Sequence, residues 1–225
     1  MKIIAASRGG QPVLWTSLAG VLLTVAIAAI YVAPTEQTMG DSQRIMYLHI
    51  AVAWLALLGF VVMATCGLGY LLSRNSWWDQ WSQAACEVGW LCATFTLITG
   101  SLWAHAAWGT WWTWDPRLVT SFILWAFYCG NMILRSGLED AHQRARLGAV
   151  LAIIGVADVP LVVMATRWFR GVHPVSPEME PSMRYALLAS VAGMTAIMTL
   201  LLVRRRNQLQ LQGRVRQLQM LADEM

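Results

Sequence analysis

The chain has 225 residues, of which 57% are apolar and 12% are charged, and its formal net charge is +4. A soluble domain of this length cannot bury so large an apolar fraction, so a water-soluble protein is excluded. The chain contains one lysine, Lys2, and it precedes every glycine, so a Walker-type nucleotide site is excluded as well.

Six long runs without charges follow one another along the chain. Each is long enough to cross a bilayer, which takes about 20 apolar residues. The fourth run is the shortest, and Asp158 interrupts the fifth. The sequence therefore predicts an all-α polytopic membrane protein, a six-transmembrane-helix bundle joined by short loops. The predicted helices cover residues 12–34, 46–72, 86–105, 117–135, 147–166 and 185–203.

The basic residues are divided unequally between the two sides that six spans create. Eleven of them fall on the side of the termini and five on the other side. Because cytoplasmic loops carry the excess of Lys and Arg, we expect both termini to be cytoplasmic. The positive charge then reflects topology and contact with anionic lipid, and nucleic-acid binding is not needed to explain it. The expected organisation is a membrane domain over residues 1–203 and a cytoplasmic tail over residues 204–225.

The cysteines lie in or at the ends of the predicted spans, and no two of them form a C-x-x-C pair. This pattern favours small apolar helix residues over redox or metal-binding roles. The absence of C-x-x-C-H also indicates that the chain is not itself a c-type cytochrome. The four cysteines are Cys66, Cys86, Cys92 and Cys129.

The predicted outer loop between the third and fourth spans, residues 105–117, is dense in tryptophan. Tryptophan often forms a dispersed belt at the membrane interface, but a dense cluster favours a platform for a large, flat, apolar ligand. Asp115 followed by Pro116 predicts the start of the fourth helix, with Asp115 as its N-cap. The clustered tryptophans are Trp108, Trp111, Trp112 and Trp114.

Two histidines lie on the same outer side as this cluster, His49 at the end of the second span and His173 in the last outer loop. A single interfacial histidine is usually a satisfied polar residue, but two that bracket an aromatic platform favour metal coordination. Haem takes two axial imidazoles, flat aromatic walls and arginines for its carboxylates. His105 could be a third ligand or an interfacial residue, and the interfacial interpretation is favoured, whereas His142 is interpreted as solvated. The outer arginines that could meet haem carboxylates are Arg44, Arg117, Arg167, Arg170 and Arg184.

Asp158 lies inside the fifth span, next to Pro160, where a charge costs about 2.5 to 3.5 kcal/mol on insertion scales. Intramembrane acids mark transport paths, but they also serve as packing contacts. Two interpretations stay open: a functional carboxylate, or one that is protonated or hydrogen-bonded to a neighbouring helix, for example near Asn131.

Four segments together resemble the haem-handling WWD-domain family of cytochrome c maturation, most closely its six-helix haem exporter C branch. They are residues 44–49, 100–103, 108–117 and 155–160. The resemblance covers essentially the whole chain and implies that His49 and His173 are the axial ligands of haem b, bound as cargo. It also implies a haem platform, which comprises Trp108, Trp111, Trp112, Trp114 and Asp115, with Arg117 beside it.

The resemblance further implies a location and partners. The haem site would face the periplasm from a bacterial inner membrane. Proteins of this family present haem to a membrane-anchored haem chaperone of the CcmE type, beside an ABC-type module of ATPase and permease subunits and a small CcmD-type membrane subunit. The chain departs from the family pattern in two places. No proline follows soon after His49, and Asp158 stands where a neutral amide is familiar.

We therefore expect a non-enzymatic protein that binds haem at an outer platform and delivers it to a chaperone for c-type cytochrome biogenesis. One alternative is a haem lyase or cytochrome c synthase component, but family members of that kind are larger. Another is a haem-independent ABC-type permease subunit, which explains the spans and Asp158 but not the tryptophan run or the two outer histidines.

Overall fold

The structure is a computed structural model that describes residues 10–37, 39–169, 171, 173 and 179–224. Within these ranges the chain forms seven α-helices and a single 3-10 turn, and no strand. The helices are α1 (Gly10–Val32), α2 (Arg44–Ser73), α3 (Ser76–Trp108), α4 (Pro116–Ser136), α5 (Ala141–Gly155), α6 (Asp158–Trp168) and α7 (Pro181–Asp223).

Among the described residues, six helical segments are long and apolar enough to cross a membrane, and α5 and α6 together make one of them. Large apolar side chains stay exposed along these segments. On α1, for example, Trp15 and Tyr31 have exposed fractions of 60% and 82%. Such surfaces are stable against lipid and costly against water. The protein is therefore a multi-pass membrane protein, and the predicted all-α, six-span fold is confirmed.

Successive spans run in opposite directions, so the connections alternate between the two ends of the bundle. The connections α1–α2, α3–α4 and α6–α7 lie at one end, here called the loop end. The connections α2–α3 and α4–α5 lie at the opposite end, from which α1 enters and beyond which α7 continues, here called the terminal end. The assignment of the terminal end to the cytoplasm stays a prediction from charge.

The third span begins at Ser76, well before the predicted residue 86. The side chain of Asn75 accepts a hydrogen bond from the backbone N–H of Trp77 at 2.9 Å and so caps the helix. The first turn contains Asp79, whose carboxylate forms an ion pair with Arg135 of α4. Hydropathy misses this part of α3 because it records the charge but not its partner.

The fifth span is broken between α5 and α6, at residues 156 and 157. Pro160 has no backbone N–H to donate to the carbonyl of Val156, so the regular helical ladder is interrupted there. That carbonyl instead accepts the N–H of Val159 at 3.1 Å. Beyond the break, α6 continues to the loop end, where Val162 lines a cavity.

The centre of the bundle is the long contact between α2 and α3, with α4 packed across it. Gly59 of α2 and Gly89 of α3 leave room for the ring of Tyr128, which is fully buried. The Tyr128 hydroxyl donates to the carbonyl of Ala56 at 2.7 Å. Small residues that allow close helix approach are typical of membrane bundles, which lack a hydrophobic driving force between helices.

The last helix, α7, runs without a break from Pro181 to Asp223, past the end of the predicted sixth span at residue 203. Its 43 residues extend about 65 Å, roughly twice the thickness of the hydrocarbon core. Its first half packs on α1, and its second half projects beyond the terminal end. There Arg205 donates from Nη2 to Oε1 of Glu87 at 3.0 Å, which ties the projecting half to α3.

Candidate functional site

A cavity lies at the loop end between α2, α3, α4 and α6. It encloses about 870 Å³ that protein atoms leave empty, part of it open to the outside. The inner wall is made of small and aliphatic side chains, and the outer wall is polar and aromatic. The histidines and tryptophans of this outer wall are His49, His173, Trp103, Trp108 and Trp112.

His49 is held against α3 by a hydrogen bond to Thr99. The His49 Nδ1 atom lies 3.1 Å from Oγ1 of Thr99, whose own hydroxyl donates to the carbonyl of Phe95 at 2.6 Å. Because the Thr99 hydrogen is already engaged, Thr99 accepts the Nδ1–H of His49. This leaves Nε2 of His49 as the nitrogen with a free lone pair, the form in which imidazole binds a metal.

His173 lies opposite His49, although the two residues are far apart in sequence. Their ring centroids are 6.5 Å apart. The indole of Trp103 is 6.3 Å from both imidazoles, and Trp108 is 5.2 Å from Trp103 and 6.5 Å from His173. The structure thus brings the two predicted ligands together, with aromatic rings beside them.

The predicted tryptophan platform divides into two parts. Trp108 and Trp112 line the cavity, whereas Trp111 and Trp114 do not. Trp111 stacks on His105 with a centroid distance of 4.0 Å and is 55% exposed. Trp114 packs edge-on against Trp112 and is 77% exposed. The two exposed indoles therefore form a rim outside the cavity.

Asp115 acts as the N-cap of α4, as the sequence predicts. Its Oδ1 accepts the N–H of Leu118 at 3.0 Å, and its Oδ2 accepts the hydroxyl of Thr113 at 3.2 Å. A Cβ at Gly171 would lie 3.2 Å from the Asp115 side chain, so this glycine lets the loop that carries His173 pass close to the start of α4. Asp115 does not line the cavity, and its contacts hold the start of α4 in place.

Of the five outer arginines, Arg117 alone among those described lines the cavity. It also donates to the hydroxyl of Thr166 at 3.4 Å. Arg44 donates to the carbonyls of Ile30 and Tyr31 at the end of α1 and pairs with Asp41, so its role is to close a helix end. Arg170 lies outside the described residues. Neither Arg167 nor Arg184 lines the cavity.

Two indole N–H groups on the cavity wall have no acceptor among the described residues. They are Nε1 of Trp103, whose side chain is 3% exposed, and Nε1 of Trp112. A buried donor without a partner costs free energy, and such donors are rare in folded proteins. Together with Arg117, they are suited to hydrogen-bonding an acceptor on a bound ligand.

The remaining polar candidates lie away from this cavity. His105 is exposed at the loop end, and Nδ1 of His142 lies 3.2 Å from the Tyr70 hydroxyl at the terminal end. Asp158 is 6% exposed, and its Oδ2 has no hydrogen-bond partner among the described residues. The proposed contact with Asn131 is not made, because the Asn131 amide donates to the carbonyl of Gly148 and accepts from Arg135.

Two residues of the site that sequence reasoning did not select are Thr99, which orients His49 from behind the cavity wall, and Trp103, which lines the cavity. Both lie on the same face of α3, one helical turn apart. This spacing could have connected Thr99 to Trp103, because Trp103 belongs to the segment 100–103 that carries the family resemblance. The position of this face relative to His49 was not visible in the sequence.

The separation of the two imidazole rings matches that of two ligands that share one metal. Rings that ligate a metal from opposite sides, with bonds of about 2.0–2.1 Å, have centroids roughly 6.3–6.5 Å apart. The observed separation is 6.5 Å. A lone metal ion needs further protein ligands, and the described residues contain no group of three or more His, Cys, Asp or Glu that could hold one. A metal that brings its own planar ring of ligands needs only two axial ones.

The family described as "Heme exporter protein C" matches residues 2–221 of the chain. Over 216 residues the chain is 33% identical to the Heme exporter protein C of Bradyrhizobium diazoefficiens, which covers 92% of this chain and 82% of the relative. Over 200 residues it is 32% identical to the protein of the same name from Escherichia coli K12, which covers 86% of this chain and 82% of the relative. A putative cytochrome c biosynthesis ccmC-like mitochondrial protein of Marchantia polymorpha is 32% identical over 148 residues, 66% of this chain and 62% of its own length. The chain belongs to the Heme exporter protein C family.

Proposed function

We propose that the protein binds haem between His49 and His173 and delivers it to a haem chaperone during c-type cytochrome maturation. The observation that carries this proposal is the 6.5 Å separation of the two imidazole rings within one aromatic-walled cavity. The names of the bacterial relatives refer to haem export, and that of the Marchantia relative refers to cytochrome c biosynthesis. These names support haem as the cargo, and we propose that it is haem b.

The wall residues have distinct roles in this proposal. His49 and His173 are the axial ligands, and Trp103, Trp108 and Trp112 contact the faces and edges of the macrocycle. Arg117 and the unpartnered indole N–H groups meet its carboxylates, because guanidinium and N–H donors form strong bonds to carboxylate oxygens. The exposed pair on the rim, Trp111 and Trp114, contacts the part of the haem that stays outside or the chaperone that receives it.

Delivery requires that haem leave as well as bind. The cavity is partly open at the loop end, and both axial ligands are replaceable by ligands of an incoming partner. This role is binding rather than catalysis. The two bonds between the histidines and the iron form and break, and the haem is otherwise unchanged. A step driven by ATP needs partner subunits, since the only lysine precedes every glycine. We therefore include an ABC-type module and a small CcmD-type subunit among the partners.

We also propose that the loop end faces the periplasm of a bacterial inner membrane. The division of basic residues, eleven on the terminal side and five on the loop side, supports this orientation. Fusion of the C-terminus to green fluorescent protein or to alkaline phosphatase tests it. We expect fluorescence from the first fusion and no phosphatase activity from the second. The reverse pattern would place the histidines in the cytoplasm.

The ligand assignment is tested with His49→Ala, His173→Ala and the double variant, each purified in detergent with haem content and absorption spectra recorded. We expect each single variant to change the ligation spectrum and the double variant to lose most of its haem. Added imidazole should restore the spectrum of each single variant, because it fits the space that the side chain leaves.

His105→Ala is the matched control, since His105 lies at the same end and does not line the cavity. It should retain the haem content and spectrum of the wild type. A double variant that binds haem as the wild type does would rule out both ligands and favour a permease-like role. If the wild type binds haem but does not load a chaperone with it, the function would instead be confined to haem storage.

A further inference from the structure

A second cavity lies at the terminal end and shares no lining residue with the first. Protein atoms leave about 1170 Å³ of it empty, part of which is open to the outside. Its walls are the beginning of α3, the end of α4, the beginning of α5 and the projecting half of α7. Four arginines line it, and they are Arg135, Arg144, Arg205 and Arg216.

The charges of this cavity do not balance. Asp79 pairs with Arg135 at 2.8 Å, and Glu87 pairs with Arg205. Arg144 and Arg216 form no ion pair with any described residue. Four guanidinium groups against two carboxylates leave an excess of positive charge, which attracts an anion.

Arg135 gives a second, independent indication of a ligand. Its side chain is 5% exposed, and its Nη2 atom is buried without a hydrogen-bond partner among the described residues. The other two guanidinium nitrogens are engaged, Nε by Asn131 and Nη1 by Asp79. A buried charged donor of this kind is costly unless an acceptor reaches it.

Two helix N-termini reinforce the same preference. Ser76, the first residue of α3, and Ala141, the first residue of α5, both line the cavity. The N-terminus of a helix carries a partial positive charge, which favours phosphate and carboxylate groups, and the side chains of Asn75 and Asp140 already accept one N–H group at each of these two ends. Gln80 adds a buried acceptor, Oε1, that has no partner among the described residues and suits a hydroxyl on the ligand.

We propose that this cavity binds the phosphate of an anionic phospholipid such as phosphatidylglycerol. The cavity lies where α4 ends and α5 begins, the depth at which lipid headgroups meet a membrane protein. Met132 and Leu209 on its wall provide apolar contact for the glycerol and upper acyl region. The Arg135, Arg144 and Arg216 side chains bind the phosphate, and Gln80 binds a glycerol hydroxyl. Free inorganic phosphate has the same anionic chemistry and is distinguished by the test.

Native mass spectrometry of the delipidated full chain in a neutral detergent measures this binding. We expect the wild type to bind one added phosphatidylglycerol at concentrations where phosphatidylcholine does not bind. The double variant Arg144→Ala/Arg216→Ala should bind phosphatidylglycerol at least tenfold more weakly, since it loses two charge-assisted contacts. Gly213→Leu should weaken binding without a change of charge, because a Cβ at this cavity residue meets no atom within 4 Å and the longer side chain fills empty space.

Arg214→Ala is the matched control, because Arg214 lies on the same helix but outside the cavity wall. It should bind as the wild type does. Displacement of the lipid by millimolar inorganic phosphate would assign the site to a soluble phosphate. Equal binding of both lipids, wild-type binding by the Arg144→Ala/Arg216→Ala variant, or an equal loss in Arg214→Ala would overturn the proposal. A far-ultraviolet circular dichroism spectrum of each variant confirms that it is folded.

Discussion

The hydroxyl of Thr99 determines which ring nitrogen of His49 carries the hydrogen. Thr99 lies one span away, on α3, and its Oγ1 is 3.1 Å from Nδ1 of His49. Because this hydroxyl already donates to the carbonyl of Phe95, it serves His49 as an acceptor. In metal sites, a partner on one imidazole nitrogen sets the orientation and basicity of the other. Thr99 is therefore a positioning residue for the proposed ligand.

Thr99→Val keeps the shape of the side chain and removes the acceptor. We expect haem affinity to fall by about 10- to 100-fold, the usual cost of losing such a partner, and the ligation spectrum to change. Haem titration followed by absorbance measures both. Thr99→Ser retains the hydroxyl and should bind close to the wild type. Equal affinity and identical spectra for Thr99→Val and Thr99→Ser would show that the hydrogen bond does not orient His49.

Gly100 leaves only a narrow space beside the same imidazole. A Cβ at this position would lie 3.0 Å from Cε1 of His49, so Gly100→Ala forces the ring to move. We expect haem affinity to fall on the order of tenfold, the lower end of the cost of disturbing a ligand's orientation. Helix stability should not fall, because alanine is favoured over glycine by roughly 0.5–1 kcal/mol within a helix.

Gly130→Ala is the control for this change. Its added Cβ would meet only Cδ2 of Leu151, at an ordinary contact distance of 3.8 Å. Haem affinity should then be unchanged and thermal stability equal or slightly higher. A loss of affinity in both glycine variants would indicate a general effect of helix stiffening rather than a displaced His49.

Much of the architecture could be predicted from the sequence, because a membrane imposes simple requirements on it. A span needs about 20 apolar residues, and the six runs of this length give the six spans found. Asp115 and Pro116 predicted the start of α4 for a different reason. An N-cap depends on neighbouring residues only, so it can be read from the local sequence. His49 and His173 were selected because they bracket an unusual tryptophan cluster on one side of the membrane.

The parts that could not be predicted depend on contacts between distant residues. Asp79 made the beginning of α3 resemble a loop, since its partner Arg135 is 56 residues away. The division of the tryptophan platform is a similar case. Trp111 and Trp112 are neighbours in sequence, yet one lies on the exposed rim and the other on the cavity wall. Only the path of the loop decides which indole turns inward.

The two ion pairs at the terminal end should differ in their contribution to stability. Asp79→Asn leaves the 5% exposed Arg135 side chain without its counterion, and removing one partner of a buried pair costs about 3–5 kcal/mol. Since Asp79 itself is 18% exposed, we expect a loss near 3 kcal/mol, the lower limit of that range. Unfolding in detergent by added dodecyl sulfate measures the change.

Glu87→Gln is the comparison, because the side chains of Glu87 and Arg205 are 27% and 29% exposed. Solvent screens such a pair, so we expect a loss of no more than about 1 kcal/mol. The measurement uses lipid-free protein, so that a bound anion does not compensate for the lost carboxylate. Equal losses in the two variants would show that burial of Arg135 does not control the stability of this end.

The carboxylate of Asp158 is expected to be dispensable. It is 6% exposed, it lies within the span Ala141–Trp168, and it does not line the cavity of His49 and His173. Its Oδ2 has no hydrogen-bond partner among the described residues, so no observed contact depends on the charge of that atom. Asp158→Asn keeps the size of the side chain and removes the ability to carry a charge, which costs about 2.5–3.5 kcal/mol within a membrane.

We therefore expect Asp158→Asn to retain the haem content and chaperone loading of the wild type and to unfold at equal or higher detergent concentration. Asp158→Glu is the informative counterpart, since it keeps the charge but adds a methylene to a packed site and should be the less stable of the two. If the carboxylate instead takes part in transport, the order reverses: Asp158→Glu retains haem delivery and Asp158→Asn loses it while still binding haem. Delivery measured in cells, alongside haem content of the purified variants, separates these two results.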